Sequence, residues 1–479
     1  MSMILRRLGH TALLLERAAH PRFAIGESST PFANLLLERL AAEYDLPFLH
    51  ALAEWGTWQK QFPNISCGLK RGFTFFHHEA GREVNFSDRD AQLLVAASPN
   101  DRVADTHWYR PDFDHFLVKE AQRLGVEYLD QVEIERCEHN DGWELTLRRS
   151  TECRNVCARF AIDASGAGGF LANFLRIPAH EFENFPKTHA VYAHFRNVPR
   201  LDQLKDFGDA EPPYPPDDAA VHHVFEEGWV WVLRFNNSIT SAGAALKSFP
   251  TGTPEEIWNE LLKRFPSLFR QFERAEAITP FYSIPQISFQ RARAAGSDWA
   301  LLPSATGFVD PLLSTGFALN LLGISRVARE ISNGRHLEAY ERAALAELNA
   351  AAELIGALYA KMSSFEDFAA LTLLYFAAMS YTETAWRLDK RHLAEMFLLR
   401  NDERFTSIRQ SLCRKAVSGE PIGLEEVTKS IKPWDIAGLS DLSRRNWYPV
   451  SFDDLIKGRW KLGASAEEIT ALVNKLRNT

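Results

Sequence analysis

Helical and strand periodicities alternate along the first third of the chain. Residues 1–8 carry apolar positions at helical spacing, and Gly9 is typical of a residue that ends a helix. The continuous apolar run over 11–15 then predicts a buried parallel strand, which Glu16 closes. The same patterns predict helices over 33–44, 51–64 and 110–124 and a strand over 126–129.

The middle of the chain alternates apolar and polar positions with the period of two that β-strands require. We expect 68–78 and 83–86 to form paired strands. Further strands are predicted over 143–148, 160–163, 189–195, 220–225, 228–235 and 240–246, with a helix over 254–264. From Gly316 onward the pattern is mainly helical. The chain as a whole therefore predicts the α/β fold class, α+β overall.

Composition narrows the possible partners and compartments. The 479 residues leave room for about three domains, and 46% hydrophobic with 24% charged residues excludes a mainly disordered chain. The net charge of −8 argues against nucleic acid as the main partner. Five scattered cysteines favour a reducing cytosol. The longest mostly apolar run, 368–381, is shorter than a membrane-spanning helix requires, so we expect a cytoplasmic protein without a membrane span.

The helix, strand and acidic residue at the start of the chain look like the second half of a βαβ nucleotide-binding unit. In such units the acidic residue that ends the second strand binds a ribose hydroxyl and follows a glycine loop by ~20 residues. Only fifteen residues precede Glu16. On this interpretation Glu16 binds the ribose, and we expect the first strand and the glycine loop to be missing from this chain.

Three more motifs follow Glu16 in order. They are Gly-Glu-Ser over 26–28, Asp-Ala-Ser-Gly over 163–166, and Gly-Phe-Val-Asp-Pro-Leu-Leu-Ser-Thr-Gly over 307–316. Together these motifs resemble the FAD-binding fold of flavin-dependent halogenases, aromatic hydroxylases and geranylgeranyl-reductase-like enzymes. The resemblance covers roughly residues 1–335 and implies three parts. These are a discontinuous Rossmann-like FAD-binding domain (1–66, 100–185 and 290–335), an inserted antiparallel β-sheet substrate domain (67–99 and 186–289), and a helical C-terminal region (336–479).

The resemblance implies that FAD is bound by residues of these motifs and their surroundings. They are Glu16, Arg17, Gly26, Glu27, Ser28, Arg110, Asp163, Gly166, Ser304, Gly307, Asp310 and Pro311. One position departs from the family pattern, because Ser304 stands where the family usually has an aspartate that binds the ribityl chain. A serine hydroxyl still hydrogen-bonds there, but more weakly than a carboxylate.

The stretch over 310–316 resembles the Asp-Pro-x-x-Ser-Ser/Thr-Gly motif of phenolic halogenases. Ser314, Thr315 and Gly316 present backbone N–H groups at a helix start, which suits an anion. The resemblance implies that chloride or bromide is bound there beside the flavin. The alternative is an ordinary helix that Ser314 or Thr315 caps with its side chain.

Lys70 begins Lys-Arg-Gly-Phe-Thr-Phe, which resembles the Lys-x-Gly-x-x-Phe stretch of halogenases. The resemblance implies a catalytic lysine that meets hypohalous acid and directs it to the substrate. A desolvated lysine suits this role as a neutral nucleophile or as a charged donor, and the apolar neighbours are consistent with burial. The alternatives are a solvated lysine, or Arg71 in its place if the register slips.

Trp229 and Trp231 lie two apart on a predicted strand, so their rings share one face. They resemble the Trp-x-Trp-x-Ile-Pro stretch that obstructs substrate access to the flavin in halogenases. Leu233 and Arg234 replace the isoleucine and proline of that motif. A pair of tryptophans in the core of the sheet is the alternative. Six further residues are interpreted mainly as helical core, with a substrate chamber as the alternative: Phe365, Phe368, Leu371, Leu374, Tyr375 and Tyr381.

The resemblance as a whole implies a FAD-dependent oxidoreductase of the halogenase branch. Such an enzyme uses reduced FAD from a separate flavin reductase, oxygen, and chloride or bromide to halogenate an electron-rich aromatic. The small aromatic substrate is either free or tethered to a carrier protein. The alternatives are a flavin monooxygenase or alkene reductase of the same fold, or a truncated non-enzymatic relative that binds no flavin.

Overall fold

The computed structural model describes residues 1–183, 185–204, 211–248, 250–334 and 336–478. Its α-helices span Ser2–Arg7, Pro31–Glu43, Pro47–Ala51, Trp55–Gln61, Arg110–Arg123, Phe170–Phe174, Leu201–Leu204, Pro254–Arg264, Pro266–Phe272, Pro303–Thr306, Thr315–Ser332, Glu338–Ala360, Phe365–Arg387, Glu403–Val417, Leu424–Ile431, Phe452–Gly458 and Ala466–Asn478. Its strands span Leu13–Leu15, Cys67–Lys70, Gly72–His77, Gln92–Ala96, Asp105–Trp108, Glu127–Leu129, Glu133–His139, Trp143–Arg149, Glu152–Ala158, Ala161–Asp163, Ala179–His180, His189–Arg196, Ala220–Phe225, Gly228–Arg234, Thr240–Leu246, Glu276–Ala277, Tyr282–Ile284, Phe289–Arg291, Trp299–Leu301, Gly307–Phe308 and Trp447–Tyr448. The mixed α/β class is therefore confirmed.

A large, mainly antiparallel sheet forms the centre of the molecule. Eight of its strands follow the order Glu276–Ala277, His189–Arg196, Thr240–Leu246, Gly228–Arg234, Ala220–Phe225, Gly72–His77, Gln92–Ala96 and Trp447–Tyr448, and Tyr282–Ile284 also pairs with the second of them. Successive side chains point to opposite faces. Phe75 packs into the largest core on one face, whereas Phe76 packs into a second core on the other.

One predicted strand pairing is wrong. The stretch 68–78 is divided at Arg71, whose N–H donates to the carbonyl of Asp218. The strand before Arg71 pairs with Asp105–Trp108, and the strand after it pairs with Gln92–Ala96. The predicted partner, 83–86, forms no strand because the N–H of Val84 donates to the Ser267 hydroxyl instead of to a neighbouring strand.

Two short pairs of parallel strands form the Rossmann-like part. Leu13–Leu15 pairs with Glu127–Leu129, and Ala161–Asp163 pairs with Trp299–Leu301. The predicted parallel strand near the start of the chain is therefore present. Its three leucines are half-buried rather than buried, because the strand has only one neighbour among the described residues.

Two long helices, Glu338–Ala360 and Phe365–Arg387, pack into the largest core together with residues of the central sheet. The first is long and apolar enough to span a membrane by length and composition alone. Two thirds of its most apolar window is buried inside the protein, as in the core helix of a globular protein.

Candidate active site

Backbone hydrogen bonds place the predicted lysine beside the Gly-Glu-Ser turn. The strand Cys67–Lys70, which ends at the lysine, pairs with Asp105–Trp108. The residue after the turn bonds to that same neighbouring strand, because the N–H of Ser29 donates to the carbonyl of Thr106 at 3.1 Å. Segments about forty residues apart in sequence therefore meet along one strand.

Lys70 is fully buried, with 0% of its surface exposed. Its Nζ donates to three oxygens, namely Ser28 Oγ at 2.9 Å, the Ser29 carbonyl at 2.5 Å and Ser314 Oγ at 3.5 Å. Three acceptors match the three donors of an ammonium group. Burial lowers the pKa of Lys70 to about 7, although the nearby Asp105 opposes that shift. The structure thus places the amine in a buried site, and its catalytic role remains a prediction.

Arg71, the alternative to Lys70, points elsewhere. Its Nη1 lies 2.7 Å from Asp101 Oδ1, and the Asp101 side chain is 59% exposed. The strand register therefore assigns Lys70, not Arg71, to the buried cluster.

Asp105 and Asn34 belong to the same cluster, and sequence reasoning missed both. Asp105 lies opposite Lys70 on the neighbouring strand. Its Oδ1 accepts a hydrogen bond from Asn34 Nδ2 at 2.9 Å, and Asn34 Oδ1 accepts one from Ser29 Oγ at 2.5 Å. Burial raises the pKa of Asp105, against the opposing effect of Lys70. No motif marked these residues. The strand pairing brings Asp105 to the lysine, and a side-chain hydrogen bond from the helix Pro31–Glu43 adds Asn34.

Ser314 is not an ordinary helix cap. It precedes the helix Thr315–Ser332, yet its side chain makes no capping hydrogen bond. Its Oγ instead donates to Ser28 Oγ at 3.1 Å and also lies within reach of Lys70. Its φ of 52° lies in the left-handed region, which is unfavourable for a residue with a side chain. The alternative of a serine side-chain cap at this position is therefore wrong.

A small cavity adjoins the start of this helix. Four of the predicted residues line it together, namely Ser304, Gly307, Thr315 and Gly316. Its volume of about 10 Å³ is that of a single water-sized group. Asn320 joins two of the segments, because its Oδ1 accepts from the Ser304 N–H and its Nδ2 donates to the Gly316 carbonyl. The first N–H groups of a helix have no partner within the helix, so this end can bind an anion.

A larger cavity of about 180 Å³ lies on the other side of the lysine cluster. Asp105, Asn34 and Phe73 are among its lining residues, and Lys70 Nζ lies 3.9 Å from the centre of the Phe73 ring. The helix Phe365–Arg387 supplies much of another wall. Of the aromatic residues considered for a chamber, Tyr375 lines this cavity, whereas Phe365, Phe368 and Tyr381 pack in the core.

Trp229 and Trp231 lie on one face of their strand, as predicted, with ring centres 5.8 Å apart. Trp229 is 1% exposed and donates from Nε1 to Tyr359 Oη at 3.0 Å. Trp231 donates to Ser241 Oγ at 3.3 Å. Neither ring lines either of the two cavities, so the structure places both in the core of the sheet.

Asp310 and Pro311 shape the loop before the halide motif. Asp310 is fully buried, and its two oxygens accept from the Leu312 N–H at 3.0 Å and from Tyr359 Oη at 2.9 Å. The Pro311 carbonyl accepts from the Ser314 N–H at 2.9 Å. Burial raises the pKa of Asp310 to about 7. Both Asp310 oxygens thus have protein partners, so this residue holds the loop in place.

Glu16, which is predicted to bind the ribose, is partly exposed, and its neighbour Arg17 is exposed. Glu16 Oε1 accepts from the Ala18 N–H at 2.8 Å, and Oε2 lies 3.1 Å from Arg22 Nη2. The structure therefore does not bring these two residues to the lysine cluster.

Arg110 supports the Gly-Glu-Ser turn through hydrogen bonds to its backbone. Its guanidinium donates to the carbonyl of Gly26 at 2.8 Å and to both oxygens of Asp114. Gly26 has φ +93°, a conformation that glycine adopts readily. Glu27 is 2% exposed and pairs with His194 Nε2 at 2.8 Å. These contacts hold the turn, and with it Ser28, against the lysine.

Asp163 stabilises the turn that follows it with its side-chain carboxylate. Its oxygens accept from the Ser165 N–H at 2.7 Å and the Leu171 N–H at 2.8 Å. Gly166 follows with φ +65°, and a Cβ there would lie 3.9 Å from the Ser304 carbonyl. The turn therefore lies next to the segment that carries Ser304.

The chemistry of these groups fits the ring end of FAD. The small cavity combines unpaired helix N–H groups with the segment of Ser304, and a Cβ on Gly316 would meet only one atom, Phe308 Cε2 at 3.4 Å. Such an arrangement of donors suits an anion or a single polar atom at the edge of a flavin. The individual roles of these residues in binding FAD and halide remain predictions.

Comparison with known proteins connects this geometry to a family. The family model for tryptophan halogenase matches residues 104–370. The chain is 29% identical over 332 residues to tetracycline 7-halogenase from Kitasatospora aureofaciens, covering 66% of this chain and 58% of that protein. It is 27% identical over 342 residues to monodechloroaminopyrrolnitrin halogenase PrnC from Pseudomonas fluorescens, covering 69% and 59%. The matches therefore span less than two thirds of the length of either relative.

The fold has a solved counterpart. The structure of halogenase PltM in complex with phloroglucinol and FAD superposes with a TM-score of 0.84 at 24% identity. The match covers 93% of this chain and 96% of PltM. At this identity the likeness shows a shared fold.

Proposed function

The chain belongs to the tryptophan halogenase family, and we propose that it halogenates an electron-rich aromatic compound in the larger cavity. The family is one of flavin-dependent enzymes, so FAD is the cofactor of this chain and a halide ion is consumed in its reaction. The ring end of FAD would be held by Gly166, Ser304, Gly307 and the helix start at Thr315 and Gly316. Bound in its reduced form, FAD supplies the reaction of oxygen with halide that yields hypohalous acid.

One observation carries the proposal, which is the position of the Lys70 amine between the two cavities. On one side its hydrogen bond reaches Ser314, the residue before the helix start that borders the small cavity. On the other side Lys70 contacts Phe73 and lies opposite Asp105, both of which line the larger cavity. We therefore expect a reagent that moves from the helix start toward the aromatic walls to pass this amine.

The surroundings of Lys70 fit it to bind hypohalous acid. Its amine is a donor held in a fully buried site, where hydrogen bonds to a polar reagent are stronger than in water. Two of its partners are the hydroxyl groups of Ser28 and Ser314. Either hydroxyl can rotate and release the amine to a new acceptor. The amine can thus hold the reagent facing the larger cavity without a large movement of the backbone.

The test is halide-dependent product formation by the purified chain with FAD, a flavin reductase, NADH, oxygen and bromide. Lys70→Met is expected to lose product formation by about 100-fold or more, the range of a lost acid–base group. Lys361→Met is the matched control, because Lys361 is also buried but is paired with Asp367 at 3.0 Å. Full brominated product from Lys70→Met would contradict the role of the lysine. An oxygenated product without bromine would favour the monooxygenase alternative.

The separate flavin reductase and the cytoplasmic location are proposals of the same kind. A reductase is proposed because the family chemistry starts from reduced FAD. Leaving the reductase out of the assay above should abolish product formation. Reducing the FAD with a chemical reductant instead should recover product formation. All five cysteines are free in the structure, which is consistent with a reducing compartment. Cell fractionation tests the proposed cytoplasmic location.

A further inference from the structure

Lys70 and Asp105 are direct neighbours on two antiparallel strands, yet their side chains do not form an ion pair with each other. The two residues lie opposite each other in the strand register. Their Cβ atoms are therefore ~5 Å apart, well within the reach of a lysine side chain. In the part of the chain that the structure describes, all three acceptors of the Lys70 amine are oxygens of serine residues. The carboxyl group is thus held away from the amine.

The side chain of Asn34 holds the Asp105 carboxyl group. Asn34 is 2% exposed and lies near the start of the helix Pro31–Glu43. Its Nδ2 donates to Asp105 Oδ1 at 2.9 Å. Its Oδ1 accepts from Ser29 Oγ at 2.5 Å, and this second bond fixes the orientation of the amide. The carboxyl group is therefore bound to the helix and not to the lysine.

The separation matters because a direct contact would change the charge of both groups. Opposite charges attract strongly in a buried site, where little water screens them. Without such a contact, burial favours the neutral forms, since it lowers the pKa of Lys70 and raises the pKa of Asp105. A direct ion pair would oppose both shifts, and it would keep the amine protonated and occupied by one strong partner.

Other ionisable groups surround the two residues. They are His107 and His222, which interact electrostatically with the lysine, and Tyr375, Glu383 and Arg387, which interact with the aspartate. Burial lowers the pKa of both histidines, so neither supplies a charge at neutral pH. Arg387 is itself bound to Glu383 at 2.8 Å. The hydrogen bond from Asn34 thus accounts for the position of the carboxyl group.

We propose that Asn34 is a positioning residue that holds the Asp105 carboxyl group away from the Lys70 amine. The amine then keeps serine partners that it can exchange, in place of one carboxylate that would hold it. It stays available to a polar reagent, and this consequence for the reaction rests on the proposed function. The separation of the two groups depends neither on the flavin nor on the reaction.

The test is the variant Asn34→Ala of the full chain, which removes both hydrogen bonds of the amide. We expect the released carboxyl group to turn to the amine. A crystal structure of the variant should then show an Asp105 oxygen within about 3 Å of Lys70 Nζ. Gln92→Ala is the matched control, because Gln92 is also a buried carboxamide, 1% exposed, and makes two hydrogen bonds to backbone carbonyls away from the lysine.

The second measurement is the unfolding equilibrium constant in urea at pH 8 and at pH 9.5. In the wild-type protein the unfolded chain holds a proton on Lys70 that the folded chain lacks, so stability rises with pH. In Asn34→Ala the paired amine keeps its proton in the folded protein, so this rise is lost. The ratio of the unfolding constants of Asn34→Ala and wild type should therefore change about tenfold or more between the two pH values. The same ratio for Gln92→Ala should change less than about threefold.

Two results would each overturn the inference. One is a variant structure in which the Asp105 carboxyl group stays away from the Lys70 amine. The other is a ratio for Asn34→Ala that changes less than about threefold, which is what the loss of purely structural hydrogen bonds predicts. Asn34→Ser, whose side chain is too short to reach Asp105, is used with the same expectations if Asn34→Ala does not fold.

The two proposals fail separately. The expected structure and pH dependence of Asn34→Ala, with no brominated product from the wild-type enzyme, support the inference and contradict the proposed function. Brominated product from the wild-type enzyme, together with an unchanged carboxyl position in Asn34→Ala, contradicts the inference alone.

Discussion

Replacement of Lys70 by methionine should change how the stability of the protein depends on pH. Burial lowers the pKa of Lys70 from 10.5 to about 7. Between these two values the unfolded chain holds a proton on this amine that the folded chain does not hold. The stability of the wild-type protein therefore rises with pH across that window, by ~1.4 kcal/mol for each pH unit. Methionine does not titrate, so the variant lacks this rise.

The measurement is the free energy of unfolding in urea at pH 7, 8, 9 and 10, for both proteins. The difference between Lys70→Met and wild type should move by at least about 3–5 kcal/mol toward the wild type over this range. Groups remote from Lys70 cancel in the difference. Loss of the Lys70 charge raises the pKa of Asp105 in the variant, which moves the difference in the same direction. Below pH 7 the difference should be constant, because the amine is then protonated in both states. Lys361→Met breaks an ion pair of 3.0 Å and should destabilise the protein at pH 7.

A difference between Lys70→Met and wild type that stays constant within 1 kcal/mol from pH 7 to pH 10 would refute the reasoning. It would mean that the amine is solvated in the folded protein, or that Asp105 stabilises its charge as well as water does. In the first case Lys70 would not be the buried amine on which the proposed function rests. In the second case the amine would stay buried and charged beside Asp105 across this pH range.

Two further variants test the scaffold of the site. Tyr359→Phe removes the hydroxyl that donates to buried Asp310 at 2.9 Å, and should lower the free energy of unfolding by about 1–3 kcal/mol in urea titrations. Gly243→Ala places a Cβ 2.4 Å from Trp231 Cζ2 and should cost about 1–3 kcal/mol in the same titrations. At Gly423 a Cβ meets nothing within 4 Å, so Gly423→Ala should match the wild type; equal effects at the two glycines would contradict the packing argument.

The elements with a strong single period were predictable from the sequence. The strands Ala220–Phe225 and Thr240–Leu246 and the helix Pro254–Arg264 have the predicted bounds, because each follows one period and is bounded by turn residues. The division of the stretch 68–78 was not predictable from the sequence. Its apolar residues continue on both sides of Arg71, although the backbone changes its partner strand there. Periodicity reports which face of a strand is apolar, and carries no information about which strand lies beside it.

The same limit explains which site residues were found. Lys70 and Ser314 stand in motifs that resemble a family, and the structure brings them within 3.5 Å of each other. Asp105 stands in no motif, and only its pairing with the lysine strand gives it a place in the site. Asp310 and Trp229 were recognised as motif residues, but their contacts with Tyr359 are structural. A motif thus located the neighbourhood of the site without assigning the contact that each residue makes.

The strongest argument for a functional site is that two unfavourable features meet at one contact. Ser314 has a left-handed backbone although it is not glycine, which costs of order 1–3 kcal/mol. Lys70 has a fully buried amine whose charge burial disfavours. Each alone has a structural explanation, such as a tight turn or a buried ion pair. A fold under selection for stability alone would have no reason to place both within 3.5 Å of each other, with two hydroxyl groups among the direct hydrogen-bond partners of the amine. Chemistry that needs an amine free to exchange its partners beside a helix start requires this arrangement.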